Sequence, residues 1–213
     1  MRPMAPDPEA APPRLERELV ELTFWTTLGD WPALGELRRA HPGLAGLRGR
    51  EALLQLHLFC GFPRIVEAFG VLADAGGLGE PEPDERRSEA DRPDAGKALF
   101  DRIYEAQSER VAGLLGDYHP DFQGWILGHA YGRVLSRPGL SARERELLAC
   151  VALTATDQHR QLASHVRGAL RCGATRQDLL DVLRVLEELL PAERLERSAA
   201  VFRRFSIDEQ GVD

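Results

Sequence analysis

The sequence predicts an all-α protein, and three observations carry that reading. Apolar side chains recur three and four residues apart through most of the chain, the spacing that gathers them on one face of a helix. Runs that alternate apolar and polar residues, as half-buried strands do, occur nowhere. Glycine and proline fall where the helical pattern stops.

Taken in order, residues 1–13 are Pro- and Ala-rich, lack the apolar core of a signal peptide and read as a disordered tail. Leu15, Leu19 and Leu22 begin an amphipathic helix that runs through Phe24 and Trp25 to Leu28 and stops at Gly29-Asp30. Leu34 and Leu37 mark a second, short helix ended by His41-Pro42-Gly43. Glu51 to Phe59 forms a third, which Gly61-Phe62-Pro63 breaks before a fourth through Ile65, Phe69 and Leu72. Residues 14–73 thus form an N-terminal helical unit.

Residues 74–97 carry eight acidic and four basic side chains, a net of −4, and almost no large apolar group. Such a stretch buries too little surface to offset its ordering entropy, so it reads as an acidic linker. The helical pattern then returns over 98–205. Leu99, Ile103, Val111 and Leu115 fall on helical spacing, and Pro120 opens a helix with Phe122, Trp125, Ile126 and Tyr131 that ends at the turn Arg137-Pro138-Gly139-Leu140. Ser141 with Glu144 makes a capping box ahead of LLACVAL, a helix apolar on nearly every side and hence buried on all of them. Leu162, Val166, Ala169 and Leu170 line one face of the next helix, closed by Gly173. Thr175 caps a last one through Leu179, Leu180, Leu183 and Leu186. Residues 206–213 read as a second tail.

Composition narrows the function. The chain has 213 residues, 43% of them hydrophobic and 29% charged, ordinary for one large globular domain or two small ones. A net charge of −7 offers no basic field to release phosphate counterions, so nucleic acid is not an expected partner. No apolar run approaches the ~18 residues a membrane span needs. A cytoplasmic protein is the expectation. Lys97 is the only lysine; so strong an arginine bias is what a G+C-rich genome produces, and each arginine is judged by its own site. Cys60, Cys150 and Cys172 form no CxxC and sit among apolar neighbours, which encodes neither a disulfide framework nor a cysteine metal site.

Two segments echo each other. Arg17-Glu18-Leu19 parallels Arg145-Glu146-Leu147, and Glu51-Ala52-Leu53-Leu54 parallels Gln177-Asp178-Leu179-Leu180, each followed by apolar helices. The pattern suggests a duplicated helical unit whose first copy, 14–73, has degenerated.

Residues 131–180 make the reading more specific. A Tyr-Gly before the Arg-Pro-Gly-Leu-Ser turn, an Arg-Glu-Leu helix start, a His followed by Gly-Ala-Leu, and a Gly-Ala-Thr opening the last helix resemble the core of the carboxymuconolactone decarboxylase family, which includes the AhpD-like alkylhydroperoxidases. EALLQLHLFCGFPRIVEAF is similar to that family's C-terminal helix pair, as in a tandem two-repeat member. The resemblance implies an AhpD-like all-α bundle and a homo-oligomer, a trimer or a dimer. It places His165 at the family's histidine and Glu146 at its glutamate, while the two cysteine positions of the peroxidase branch fall on Gln158 and Gln161. Dithiol peroxide chemistry needs an attacking and a resolving sulfur, and these positions hold neither.

The decarboxylase branch of the family also lacks those cysteines, and the resemblance to it implies acid/base chemistry with no metal or cofactor. His165 and Glu146 are the expected catalytic pair, because both fall on the buried faces of their helices. Among Arg137, Arg145 and Arg160, Arg137 is the expected anchor for a substrate carboxylate, with Tyr131 beside it as a second binding residue. His57 and His129 are expected to be structural or surface residues rather than catalytic ones. A non-catalytic family member that assembles or binds a small molecule is the alternative, and a peroxidase a weaker one.

Overall fold

The computed structural model describes residues 14–206 apart from 84 and 86; the two tails expected at 1–13 and beyond 206 lie outside the described residues. Ser206 itself closes the last helix. Among the described residues all regular structure is helical. The order is α1 (Arg17–Leu28), α2 (Trp31–Ala40), α3 (Leu47–Gln55), α4 (His57–Asp74), α5 (Arg92–Tyr104), α6 (Ser108–Tyr118), α7 (Pro120–Gly124), a π-helix (Trp125–Leu135), α8 (Ala142–Ala155), α9 (His159–Arg171), α10 (Arg176–Leu189) and α11 (Ala192–Ser206). Among the described residues no single helix is long and apolar enough to cross a membrane.

Helix α8 organises the molecule. Every residue from Arg143 to Ala155 is buried, as the all-round apolar pattern requires. Its Leu147, Cys150 and Val151 join a core with Val166, Leu179, Leu186 and Phe202. From its other side, Leu148 and Ala152 enter a second core with Leu34, Leu53, Leu56 and Leu72. Helix α1 divides itself likewise: Val20 and Phe24 serve the first core, Leu19 and Leu22 the second. A third cluster, around Phe100, Ile103, Tyr131 and Cys172, joins α5 to the π-helix and to the end of α9.

Local chemistry accounts for most boundaries. Both capping boxes close fully: Ser141 with Glu144, and Thr175 with Asp178. Gly29 ends α1 with a left-handed φ of 76° that a side chain would strain.

Three boundaries differ from the sequence expectation. The third helix ends early, at Gln55, and Leu56 adds a break ahead of the one at Gly61, with a bend of 112° between α3 and α4; His57 Nδ1 donates to the Leu54 carbonyl at 2.5 Å and takes up a backbone acceptor there. Gly61 does break the helical backbone as expected, at φ 79° and ψ 161°, so α4 is two helices meeting at a kink. The stretch from Trp125 is a π-helix, with the Ser136 amide bonded five residues back to Tyr131 O at 3.1 Å. It packs close against α5: a methyl group at Gly96 would lie 2.6 Å from Gly132 Cα.

The third difference is the acidic stretch. It is a strap packed across the N-terminal helices, and α5 starts at Arg92, within it. Leu78 enters the second core, Arg38 donates to the carbonyls of Gly76 and Gly77, and buried Glu85 pairs with Arg50. That pairing raises the arginine pKa and holds the Glu85 carboxyl below its usual range. Ion pairs and backbone acceptors thus supply the order that its few apolar side chains cannot. Pro93 in the first turn of α5 is the start signal.

Candidate functional site

Helices α8 and α9 pack against each other across the short turn at Thr156–Gln158. The turn is tight enough to hold Asp157 at φ 58°. That packing faces the first turns of α8 toward the middle of α9, and it sets His165 Nδ1 2.9 Å from Glu146 Oε2. The carboxylate is buried, whereas the imidazole keeps 20% of its side-chain surface exposed. Burial pulls the His165 pKa down, but the Glu146 charge and hydrogen bond outweigh it and leave the value above the usual 6.5. Among the described residues Nε2 has no hydrogen-bond partner, so the imidazole can carry a proton that faces away from the carboxylate. The edge of the Phe59 ring packs on it, with centroids 5.7 Å apart.

Two residues that the sequence reading did not single out shape this pair. Gly168 lies one turn beyond His165, and a methyl group there would sit 2.4 Å from Glu146 Oε2; its bare backbone makes the room the carboxylate occupies. The Gly of the His…Gly-Ala-Leu motif was a signal for it. Tyr104 is the other, at the end of α5. Tyr131 donates to its hydroxyl at 3.3 Å, and both rings pack on Phe100. Desolvation raises both phenol pKa values, Tyr131's strongly, and the Glu146 charge adds to each. Both hydroxyls therefore stay protonated within electrostatic reach of the dyad.

Arg137 is placed elsewhere. Its guanidinium forks onto Glu51 of α3, Nη2 to Oε1 at 2.6 Å and Nε to both oxygens. Glu51 is wholly buried and also accepts from Arg145 at 2.7 Å. Arg137 is therefore spent on a structural carboxylate, and the structure does not bring it to His165. Arg160 is exposed at the start of α9.

Gln158 and Gln161 both face solvent at the N-terminal end of α9. All three cysteines are free thiols. Burial raises Cys60 and Cys172 to about 11 and also pushes the Cys150 thiol well above its ordinary value, which keeps each protonated. His57 and His129 meet Nε2 to Nε2 at 2.7 Å, joining α4 to the π-helix, and Phe62 stacks on His57. Among the described residues no three His, Cys, Asp or Glu side chains are grouped to hold a metal ion.

A buried carboxylate–imidazole dyad across an α-helical hairpin defines a class of all-α proteins with acid/base potential and no local dithiol. Residues 120–204, which contain the whole hairpin, match the model of the carboxymuconolactone decarboxylase family. Peroxisomal protein 2 of Schizosaccharomyces pombe is 31% identical over 145 residues, 66% of this chain and 67% of that protein. The 4-carboxymuconolactone decarboxylase of Acinetobacter baylyi is 35% identical over 69 residues, 32% of this chain and 52% of that enzyme. Peroxisomal protein 2 of Saccharomyces cerevisiae is 33% identical over 79 residues, 37% of this chain and 28% of that protein. The chain belongs to the carboxymuconolactone decarboxylase family. It spans about two thirds of the first relative's length and about half of the second's.

Proposed function

We propose that the protein is a cofactor-free carboxy-lyase acting on a small carboxylated lactone or a similar ring compound. The observation that carries this reading is the Glu146–His165 pair, with its raised imidazole pKa and unpartnered Nε2. As the substrate's C–C bond to its carboxylate breaks, carbon dioxide leaves and the electron pair passes into the conjugated carbonyl as an enolate. His165 Nε2–H then protonates the enolate carbon, Nδ1–H keeps its bond to Glu146, and a solvent proton restores the imidazolium. Tyr104 and Tyr131 are the nearby neutral donors for developing oxyanion charge, which makes Tyr131 a binding residue on this reading.

Incubation of the purified chain with 4-carboxymuconolactone, followed by ultraviolet absorbance, is the test. The expected result is decay above the buffer blank. His165→Ala should decay at the blank rate with unchanged helical circular dichroism. A wild-type rate equal to the blank rejects the carboxy-lyase.

One observation favours a second reading, a family member that binds or assembles without catalysis: the expected carboxylate anchor, Arg137, is bound to Glu51. The peroxidase reading is the weakest, since Gln158 and Gln161 hold its cysteine positions.

We further propose a homo-oligomer, a dimer or trimer. In support, Phe62, Val66 and Phe69 stand exposed on α4, Leu114 and Tyr118 on α6, Phe122 on α7, and Trp125 at the start of the π-helix. Sedimentation would show a monomer if this were wrong. The duplicated unit is also our reading, supported by the match in order between α1–α4 and α8–α11. The cytoplasm stays our expected location; the name "peroxisomal" describes the two yeast relatives.

A further inference from the structure

A cavity of about 820 Å3 opens between α5, α6 and the π-helix, within the size range of small-molecule sites. Its wall includes Phe100 but neither Glu146 nor His165, so it is a different place from the dyad. The floor is apolar, built from Pro93, Phe100, Ala112 and Leu127. Gly128 leaves part of the wall bare: a methyl group there would meet no atom within 4 Å.

The rim is polarised. At the start of α5, the single carboxylate of Glu89 faces two guanidinium groups, Arg92 at 2.8 Å and Arg133 at 3.8 Å. Of the residues that line that end, two are guanidinium groups and one is a carboxylate. Among the described residues Arg133 makes only this long contact, and it is half exposed, which leaves its N–H donors unspent. One to three turns further along α5, Lys97 pairs with Asp101, and Glu109 stands near them, so the other end is acidic by one charge. An anionic group entering the cavity is drawn to the Arg92–Arg133 end and repelled from the other.

We propose that this cavity binds an amphipathic carboxylate, with its apolar body over Phe100 and Leu127 and its head on Arg133 beside Arg92. A neutral amphiphile of the same length gains the apolar contact alone. A dicarboxylate or a compact polar acid forfeits the floor. The site stands independently of the carboxy-lyase reading.

The test is titration calorimetry of the full chain with decanoate and with 1-decanol, each below its aggregation limit. Decanoate should bind at least tenfold more tightly than decanol. Arg133→Gln, an exposed substitution, should weaken decanoate about tenfold and leave decanol unchanged. Gly128→Phe fills the empty wall and should abolish both, with melting temperature and helical circular dichroism retained. The proposal is overturned if neither probe binds, if decanol matches decanoate, or if Arg133→Gln leaves decanoate affinity intact. It is equally overturned if a folded Gly128→Phe binds like wild type. If that variant changes the sedimentation state and wild type binds neither probe, the cavity is an interface between copies.

Discussion

His165 and His129 are two imidazoles pushed in opposite directions by what surrounds them. Glu146 overrides burial and raises the first; burial, reinforced by His57 and Arg133, lowers the second. The signs for stability follow from linkage. A raised folded pKa favours the protonated folded state, so the His165 contribution is complete below about 6.5 and fades as pH rises through the raised value. A lowered one penalises protonation in the fold, so the His129 contribution is complete above about 6.5 and is lost as pH falls toward the lowered value. Chemical denaturation across pH 5–8 should therefore show His165→Gln losing stability relative to wild type mainly at the acid end. His129→Gln should flatten the acid-side loss instead. Two variants with the same pH slope as wild type would mean that neither imidazole is coupled to folding. At this scale the sequence showed which helix faces Glu146 and His165 occupy. It could not show what Arg137 touches, because Glu51 lies 86 positions away and any exposed-looking turn arginine reads alike.

At the scale of elements, the meeting of α8 and α9 depends on one absent side chain. Gly168→Ala would place a methyl group on the Glu146 carboxylate, and overpacking of that kind costs about 1–3 kcal/mol. The carboxylate should turn away, and NMR titration should find the His165 pKa lowered from its wild-type value. An unchanged titration with intact stability would show that α9 has slack and that the close approach is not binding. Capping chemistry was readable from four-residue windows, because a cap is satisfied within its own turn. The π-helix was not. Its side-chain pattern is that of an ordinary helix, and the close seating against α5 through Gly96 and Gly132 is a tertiary matter.

Across the whole molecule, the two halves are tied through buried charge as well as shared cores. Arg145 is nearly inaccessible, bonded to Glu51 and to the carbonyls of Arg137 and Pro138, and burial pulls its pKa down against the support of Glu51. Removing one partner of such a pair strands the other. Glu51→Ala should cost about 3–5 kcal/mol in denaturant unfolding. Joint replacement, Glu51→Leu with Arg145→Met, should recover much of that. A single variant within about 0.5 kcal/mol of wild type would show that water reaches the arginine.

The sequence by itself determined the helical class, the central burial of α8, the Ser141–Glu144 capping box, the cap at Thr175 and the departure from dithiol chemistry. These are local facts, set by periodicity within a helix or by the identity of a residue at a motif position. Tertiary structure alone decided that the acidic stretch becomes a strap, that Arg137 answers to Glu51, that Gly168 makes room for a carboxylate, and that the α5–α6 cavity has a charged end. Each of those depends on which distant surfaces meet, and a charged side chain takes its partner from what folding brings within about 4 Å of it.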